Sequence, residues 1–290
     1  MKFGISMFPT HYGAPITDVA VEAERLGFDS IWVPEHSHIP LSTDFPFAPE
    51  VPQRYRSIFD PFVALSAAAA VTRDLKVGIG ICLIPQRDPF NCAKEVATLD
   101  RISNGRFLLG VGAGWNAPEM ENHGTPFEAR FRVTRERIEA MKQIWTRDEA
   151  EYHGQEVDFE PVWMWPKPVQ SPHPPIYLAG AGPNILKRVI ASGDGWYPFV
   201  VDGFEESQRG RVTPVEEFPA LMDELRQRAE QAAKPEPPVT VTALEPTPKN
   251  LDLLQKLGVE RMMLHLPEGD LPAARAALER HVKAIERYQD

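Results

Sequence analysis

The chain has 290 residues, and 31 Lys and Arg stand against 41 Asp and Glu for a formal net charge of −10. Nucleic acids and anionic membranes are held by basic patches, and this balance argues against both as partners. The opening MKFGISMF is too short for a signal peptide and no stretch approaches the ~20 apolar residues of a membrane helix, so the cytoplasm is the expected compartment.

In chain order, Lys2 to Phe8 reads as a strand. Ile16 to Leu26 carries apolar residues at helical spacing and is stopped by Gly27. Ser30 to Val33 is a second strand, and Pro34 to Phe59 is a proline-rich stretch without a period, too long for a plain connector and therefore read as a functional loop or lid. Asp60 caps a helix with Pro61 at its first position. Lys76 to Ile84 is a third strand, and Pro89 to Ile102 is a helix closed by Asn104 and Gly105.

The fourth strand, from Phe107, runs into Gly110, Gly112 and Gly114, followed by Trp115 and Asn116. Glycines at a buried strand end let a ligand lie on the main chain. The phase is not the Gly-x-Gly-x-x-Gly of a dinucleotide fold, and no acidic residue stands twenty positions on, so nicotinamide binding is rejected. An excursion over Ala117 to Thr125 leads to a long helix from Phe127 to Trp145. A hairpin over Glu151 to Phe159 turns at His153 and Gly154, and a proline-rich passage follows in which Trp163 and Trp165 are read as packing.

Ile176 to Ala179, Gly195 to Phe199, Val239 to Leu244 and Arg261 to Leu266 are strands five to eight. Pro183 to Ala191, Pro214 to Ala233, Leu251 to Leu257 and Leu271 to Tyr288 are their helices, with Val201 to Thr213 a loop. Eight strand–helix units predict an α/β fold, a (β/α)8 TIM barrel, as a single domain over 1–290 with insertions after strands 2, 4 and 6. In such a barrel the chemistry sits at the carboxyl ends of the strands.

At those ends, His36 is placed to shuttle a proton, with Glu35 beside it to orient a ligand, while His38 is evenly balanced between function and backbone bonding. A metal site on His36 and His38 would need ligands on other strands. Those strands offer Trp115, Asn184 and Tyr197, with His265 the one distant candidate, so no metal is expected. Cys82 and Cys92 lack metal or redox spacing and are expected to be inert. Gly180 to Asn184 opens a helix with Pro183 in its first turn, an arrangement that suits a phosphate. Phe8, His11, Trp115 and Asn116 are the expected pocket walls, and Glu119 reads equally as a solvated helix cap.

Together the stretches GFDSIWVPEH, DPFVALSAAAAVT, AKEVATLDRISNGRFLLGVGAGW, IYLAGAGPN and SGDGW resemble the luciferase-like monooxygenase superfamily, in particular its coenzyme F420-dependent oxidoreductases. The resemblance covers most of Met1 to Phe199. It implies a bacterial luciferase-like barrel, commonly a homodimer, that binds F420 across the strand ends and transfers a hydride between the deazaflavin C5 and a small organic substrate. It also implies a non-prolyl cis peptide between Ile81 and Cys82 behind the ring, Glu35 beside it, a phosphate turn at Ala181, Gly182 and Asn184, strand-four contacts at Ala113 and Gly114, and His36 as the acid or base. Glucose-6-phosphate dehydrogenases of this type carry a catalytic glutamate where Trp115 stands, which argues against sugar-phosphate oxidation and leaves the proton to His36 alone. Three alternatives remain: an FMNH2-dependent monooxygenase, since FMN shares the ring-and-phosphate geometry; a non-catalytic flavin or deazaflavin carrier; and a phosphosugar enzyme, for which a strand-end lysine or carboxylate pair is lacking. The acidic tail that F420 carries and FMN lacks finds possible partners in Arg54, Arg56 and Arg87.

Overall fold

A computed structural model of the chain describes residues 1–203, 205, 208 and 210–288. The first half runs β1 (Lys2–Ser6), α1 (Ile16–Arg25), β2 (Ser30–Val33), α2 (Gln53–Ser57), α3 (Pro61–Val71), β3 (Lys76–Leu83), α4 (Pro89–Ile102), β4 (Phe107–Gly112), α5 (Ala117–Asn122) and α6 (Arg130–Thr146). The second half runs β5 (Glu149–His153), β6 (Asp158–Trp163), β7 (Ile176–Ala179), α7 (Ile185–Ser192), β8 (Gly195–Tyr197), β9 (Val200–Val201), β10 (Thr213–Pro214), α8 (Phe218–Gln231), β11 (Thr240–Val241), α9 (Pro248–Lys256), β12 (Arg261–His265) and α10 (Leu271–Ile285).

Eight strands form one sheet in the order β11-β12-β1-β2-β3-β4-β7-β8, and every pairing within it is parallel. Single parallel bridges from Trp196 to Val239 and from Phe199 to Thr242 join the two ends, so the sheet curls into a nearly closed TIM barrel. Strands covered on both faces must be apolar throughout, and β2 and β4 are buried along their whole length. Four of the helix starts share one chemistry: Asp60, Asp88, Thr247 and Asp270 each accept a hydrogen bond from the amide three residues on, with proline in the first turn.

Two apolar layers result. The larger lies between sheet and helices, and the smaller fills the barrel with Trp32, Leu108, Tyr177, Tyr197 and Met263. Trp32 and Tyr197 pack at 5.4 Å between ring centroids, and glycine on β3 makes room for them. A Cβ at Gly78 would fall 2.5 Å from the Trp32 ring, and one at Gly80 2.7 Å from the Tyr197 hydroxyl. Arg261, 1% exposed, pairs with Asp29 at 2.6 Å and ties β12 to the chain entering β2.

Three expectations change. The helix expected from Pro214 begins at Phe218, because the Thr213 amide donates to Phe199 O at 2.7 Å and the Val215 amide to Val201 O at 3.0 Å, drawing this segment onto β9 as β10. The loop expected over Val201 to Thr213 therefore has strand at both ends, and its positions 204, 206, 207 and 209 lie outside the described residues. Trp163 and Trp165 do not pack under the insert: they are 76% and 51% exposed, Trp163 on the solvent side of the β5–β6 hairpin.

Candidate active site

The strand ends open on one face, and the long loop after β2 folds back across it. The Phe59 amide donates to Pro9 O at 2.9 Å, Thr10 bridges Ile58, and Thr43 Oγ1 donates to Asn116 Oδ1 at 3.3 Å. Phe45 from this loop, 8% exposed, packs on Tyr55 at 4.9 Å and on Trp115 at 5.4 Å. His36 sits inside this aromatic wall, 5.3 Å from Tyr55 and 5.5 Å from Trp115 between ring centroids.

His36 is held by a residue the sequence left open. Its Nδ1 lies 2.7 Å from Glu119 Oε2, and the Ser37 amide donates to Glu119 Oε1 at 3.0 Å. Asn116 Nδ2 adds a 3.3 Å bond to Oε2. Glu119 is completely buried on α5, so it is not a solvated cap. Burial pushes its carboxyl pKa up, but the His36 bond, the imidazole charge and the Ser37 amide outweigh this and hold it below the usual carboxylate range. An ionised Glu119 can only accept, so Nδ1 carries a hydrogen and Nε2 is the atom left to give or take a proton.

Glu35 is buried and spent on structure. Its Oε2 accepts from the Leu83 amide at 2.6 Å and its Oε1 from Arg87 Nε at 2.6 Å, while Arg87 also pairs with Asp60 at 3.0 Å and Glu95 at 2.7 Å. This cluster fixes the end of β3 next to His36. His38 lies on the outer side, bonded to Ser37 Oγ at 2.8 Å and Asn122 Nδ2 at 2.9 Å, away from the aromatic wall.

At the end of β3 the ladder to β4 slips: Ile79 pairs with Leu109 but Cys82 with Val111, which places an extra residue in β3. The non-prolyl cis peptide joins Gly80 and Ile81, one bond earlier than expected. The slip turns Ile81 toward the barrel layer and Cys82 toward the helices. There the Cys82 thiol is hydrogen-bonded to the Cys92 thiol and buried, which pushes its pKa up well above that of an ordinary thiol, so it is unreactive.

The glycines of β4 are filled from within. A Cβ at Gly112 would collide with the Ile81 side chain, one at Gly110 with Ile79 O, and one at Gly114 (φ +78°) would meet Met120 Cε at 3.2 Å. The turn after β7 is open instead, since a Cβ at Gly182 would meet nothing within 4 Å. Ala113 and Asn184 border a cavity of about 530 Å³ between β4, β7, α6 and α7. A second, of about 270 Å³, lies by Phe8, Thr10, Arg54 and His265. Phe8 joins the aromatic wall through Tyr55 at 5.1 Å, whereas His11 is exposed against Tyr12. Among the described residues no group of three His, Cys, Asp or Glu is arranged to hold a metal, and no helix is long and apolar enough to cross a membrane.

The chain is similar to known proteins. An uncharacterized protein of Mycobacterium tuberculosis is 34% identical over 288 residues, covering 97% of each chain. An F420-dependent glucose-6-phosphate dehydrogenase of Amycolatopsis mediterranei is 28% identical over 203 residues, covering 68% of this chain and 56% of that protein. The crystal structure of a monooxygenase from Streptomyces bottropensis superposes with a TM-score of 0.78 at 21% identity over 99% of both chains, which shows the common fold. The model of the luciferase-like monooxygenase family matches residues 1–248, and the chain belongs to that family.

Proposed function

We propose that this protein is a coenzyme F420-dependent oxidoreductase that moves a hydride between the deazaflavin C5 and a small organic substrate, with His36 handling the accompanying proton. The observation that carries the reading is the buried His36–Glu119 pair, set in an aromatic wall at the mouth of a barrel whose relatives are redox enzymes. The residues present fit such a group. The space over Gly182 is open and leaves room for a phosphate, the cavity beside it has room for a side arm, and Ile81 and Phe199 form an apolar floor above the packed barrel interior.

When bound, the deazaflavin supplies a two-electron donor or acceptor at C5. The chain supplies the rest. Ala181, Gly182 and Asn184 hold the phosphate, Ala113 and Gly114 border the side arm, and Ile81 and Cys82 back the ring, Cys82 through its main chain. Glu35 acts indirectly, holding the Leu83 amide and Arg87 so that this backing keeps its shape. Glu119 fixes the His36 ring so that Nε2 exchanges the proton with substrate, and Phe8, Trp115 and the loop bearing Phe45 and Tyr55 exclude water. Asn116 serves by bracing Glu119 and the loop.

The relative named for F420 supports this cofactor, and the family's name supports the FMN-dependent monooxygenase as the second reading. Titration of the purified protein with each cofactor, followed by an anaerobic substrate screen on deazaflavin absorbance, separates them. F420 binding with substrate-dependent absorbance change is the expected result. Tight FMN binding without F420 binding overturns the proposal, and F420 binding with no turnover of any substrate points to a carrier.

A further inference from the structure

Of the arginines that the sequence offered to an acidic tail, Arg87 is consumed by Glu35, Asp60 and Glu95, and Arg54 by Glu268 at 2.6 Å. Arg56 has no carboxylate partner among the described residues but is exposed on α2; half-buried uncompensated positive charge lies elsewhere. The cavity of about 530 Å³ is lined by Arg132, Arg135, Lys187 and Arg188 and by no acidic side chain, in a chain whose net charge is −10. Arg132 and Arg135 have carboxylate partners in Glu156 and Glu136. Among the described residues Arg188 has no carboxylate partner, and neither has the adjacent Arg130, whose Nη1 donates to Phe127 O at 2.7 Å.

Both guanidiniums stack on Phe131, with Cζ 3.8 Å (Arg188) and 4.3 Å (Arg130) from the ring centroid. Burial lowers the pKa of each, and Arg188 lowers that of Arg130 further by like-charge repulsion. Two half-buried cations on one ring without a counterion repel each other, and bound anions relieve that repulsion. Arg188 is placed for it: it follows Asn184 by one helical turn, its amide donating to Asn184 O at 3.1 Å, so the phosphate turn and the arginine share one edge of the cavity.

Resting on the F420 reading above, we infer that Arg130 and Arg188, paired on Phe131, bind the carboxylates of the cofactor's acidic tail beyond the phosphate and so select the deazaflavin over FMN. No bond is made or broken; the step is ion pairing, and its strength falls with salt.

The test compares wild type, Arg188→Gln and the Arg130→Gln/Arg188→Gln double variant. Fluorescence titration measures affinity for F420, for the same deazaflavin cut off ahead of its acidic tail, and for FMN, at low and high salt; thermal unfolding is followed with and without citrate. F420 affinity is expected to fall about tenfold to a hundredfold in the variants, with its salt dependence flattened, while the truncated deazaflavin changes less than about threefold. Citrate is expected to raise the melting temperature of wild type and not of the double variant. Equal losses for both deazaflavins would assign the arginines to the phosphate and overturn the inference, as would no loss for either. If wild type binds neither deazaflavin, the cofactor reading itself fails and takes this inference with it.

Discussion

Replacing Glu119 by Gln is the most informative single change at the mouth. The amide has the shape of the carboxylate and can still accept the Ser37 amide, but it lacks the charge and brings a donor that competes with Nδ1–H of His36. Glu119 is fully buried, so water cannot take over its bonds. A hydrogen bond to a charged partner contributes about 1.5–3 kcal/mol, and about 1.4 kcal/mol is tenfold in rate, so kcat should fall about 10- to 150-fold. Cofactor affinity should hold, because Glu119 lies behind His36 and not on the phosphate turn. Stopped-flow oxidation or reduction of bound cofactor reads kcat, and fluorescence titration reads the Kd. Stability gives an independent readout. The Glu119 carboxyl is held below its ordinary value of 4.5, so the stabilisation it confers is complete above that pH and is lost as the pH falls through the lower folded value. Urea unfolding across that acid range should therefore show a steeper loss in wild type than in Glu119→Gln. A variant with wild-type kcat and a wild-type acid limb would refute the reasoning, since His36 would then need no carboxylate.

Three more outcomes follow from the same geometry. His36→Asn should lower turnover about 10²- to 10⁴-fold while leaving cofactor binding within about threefold, measured by the same titration. Gly182→Val should leave the melting temperature within about 2 °C, because a side chain there meets open space, yet weaken cofactor binding by at least about tenfold if the turn holds the phosphate. Gly110→Ala should destabilise the fold by about 1–3 kcal/mol in urea unfolding, because the added methyl collides with the Ile79 carbonyl of the neighbouring strand, which cannot rotate away.

The barrel was legible because apolar runs such as Phe107 to Val111, bounded by glycine and proline, recur with helices of regular period between them. The cap at Asp60 follows local rules and appeared where expected, and Asp88 caps α4 by the same rule. The site was less legible, for reasons of distance along the chain. Glu119 is separated from His36 by 83 positions, and nothing near it distinguishes a buried partner from a solvated carboxylate in a first helical turn. The signal available was its neighbour Asn116, a polar residue at a strand end just before a proline-started helix. Arg87 looked like free charge because its partners Glu35 and Asp60 come from other strand–helix units. The glycines of β4 were read as a bed for a ligand. Their space is taken by Ile81 and Ile79, which a ladder slip brings across from β3 and which pairwise spacing cannot foresee.

The most direct measurement is a crystal structure with oxidised F420 bound. It should place the phosphate within hydrogen-bond distance of the Ala181–Asn184 turn and the ring over Ile81, with C5 facing the space bounded by His36 and Trp115. A ring seated in the cavity beside Arg54 and His265, or a phosphate away from the Gly182 turn, would contradict the proposal.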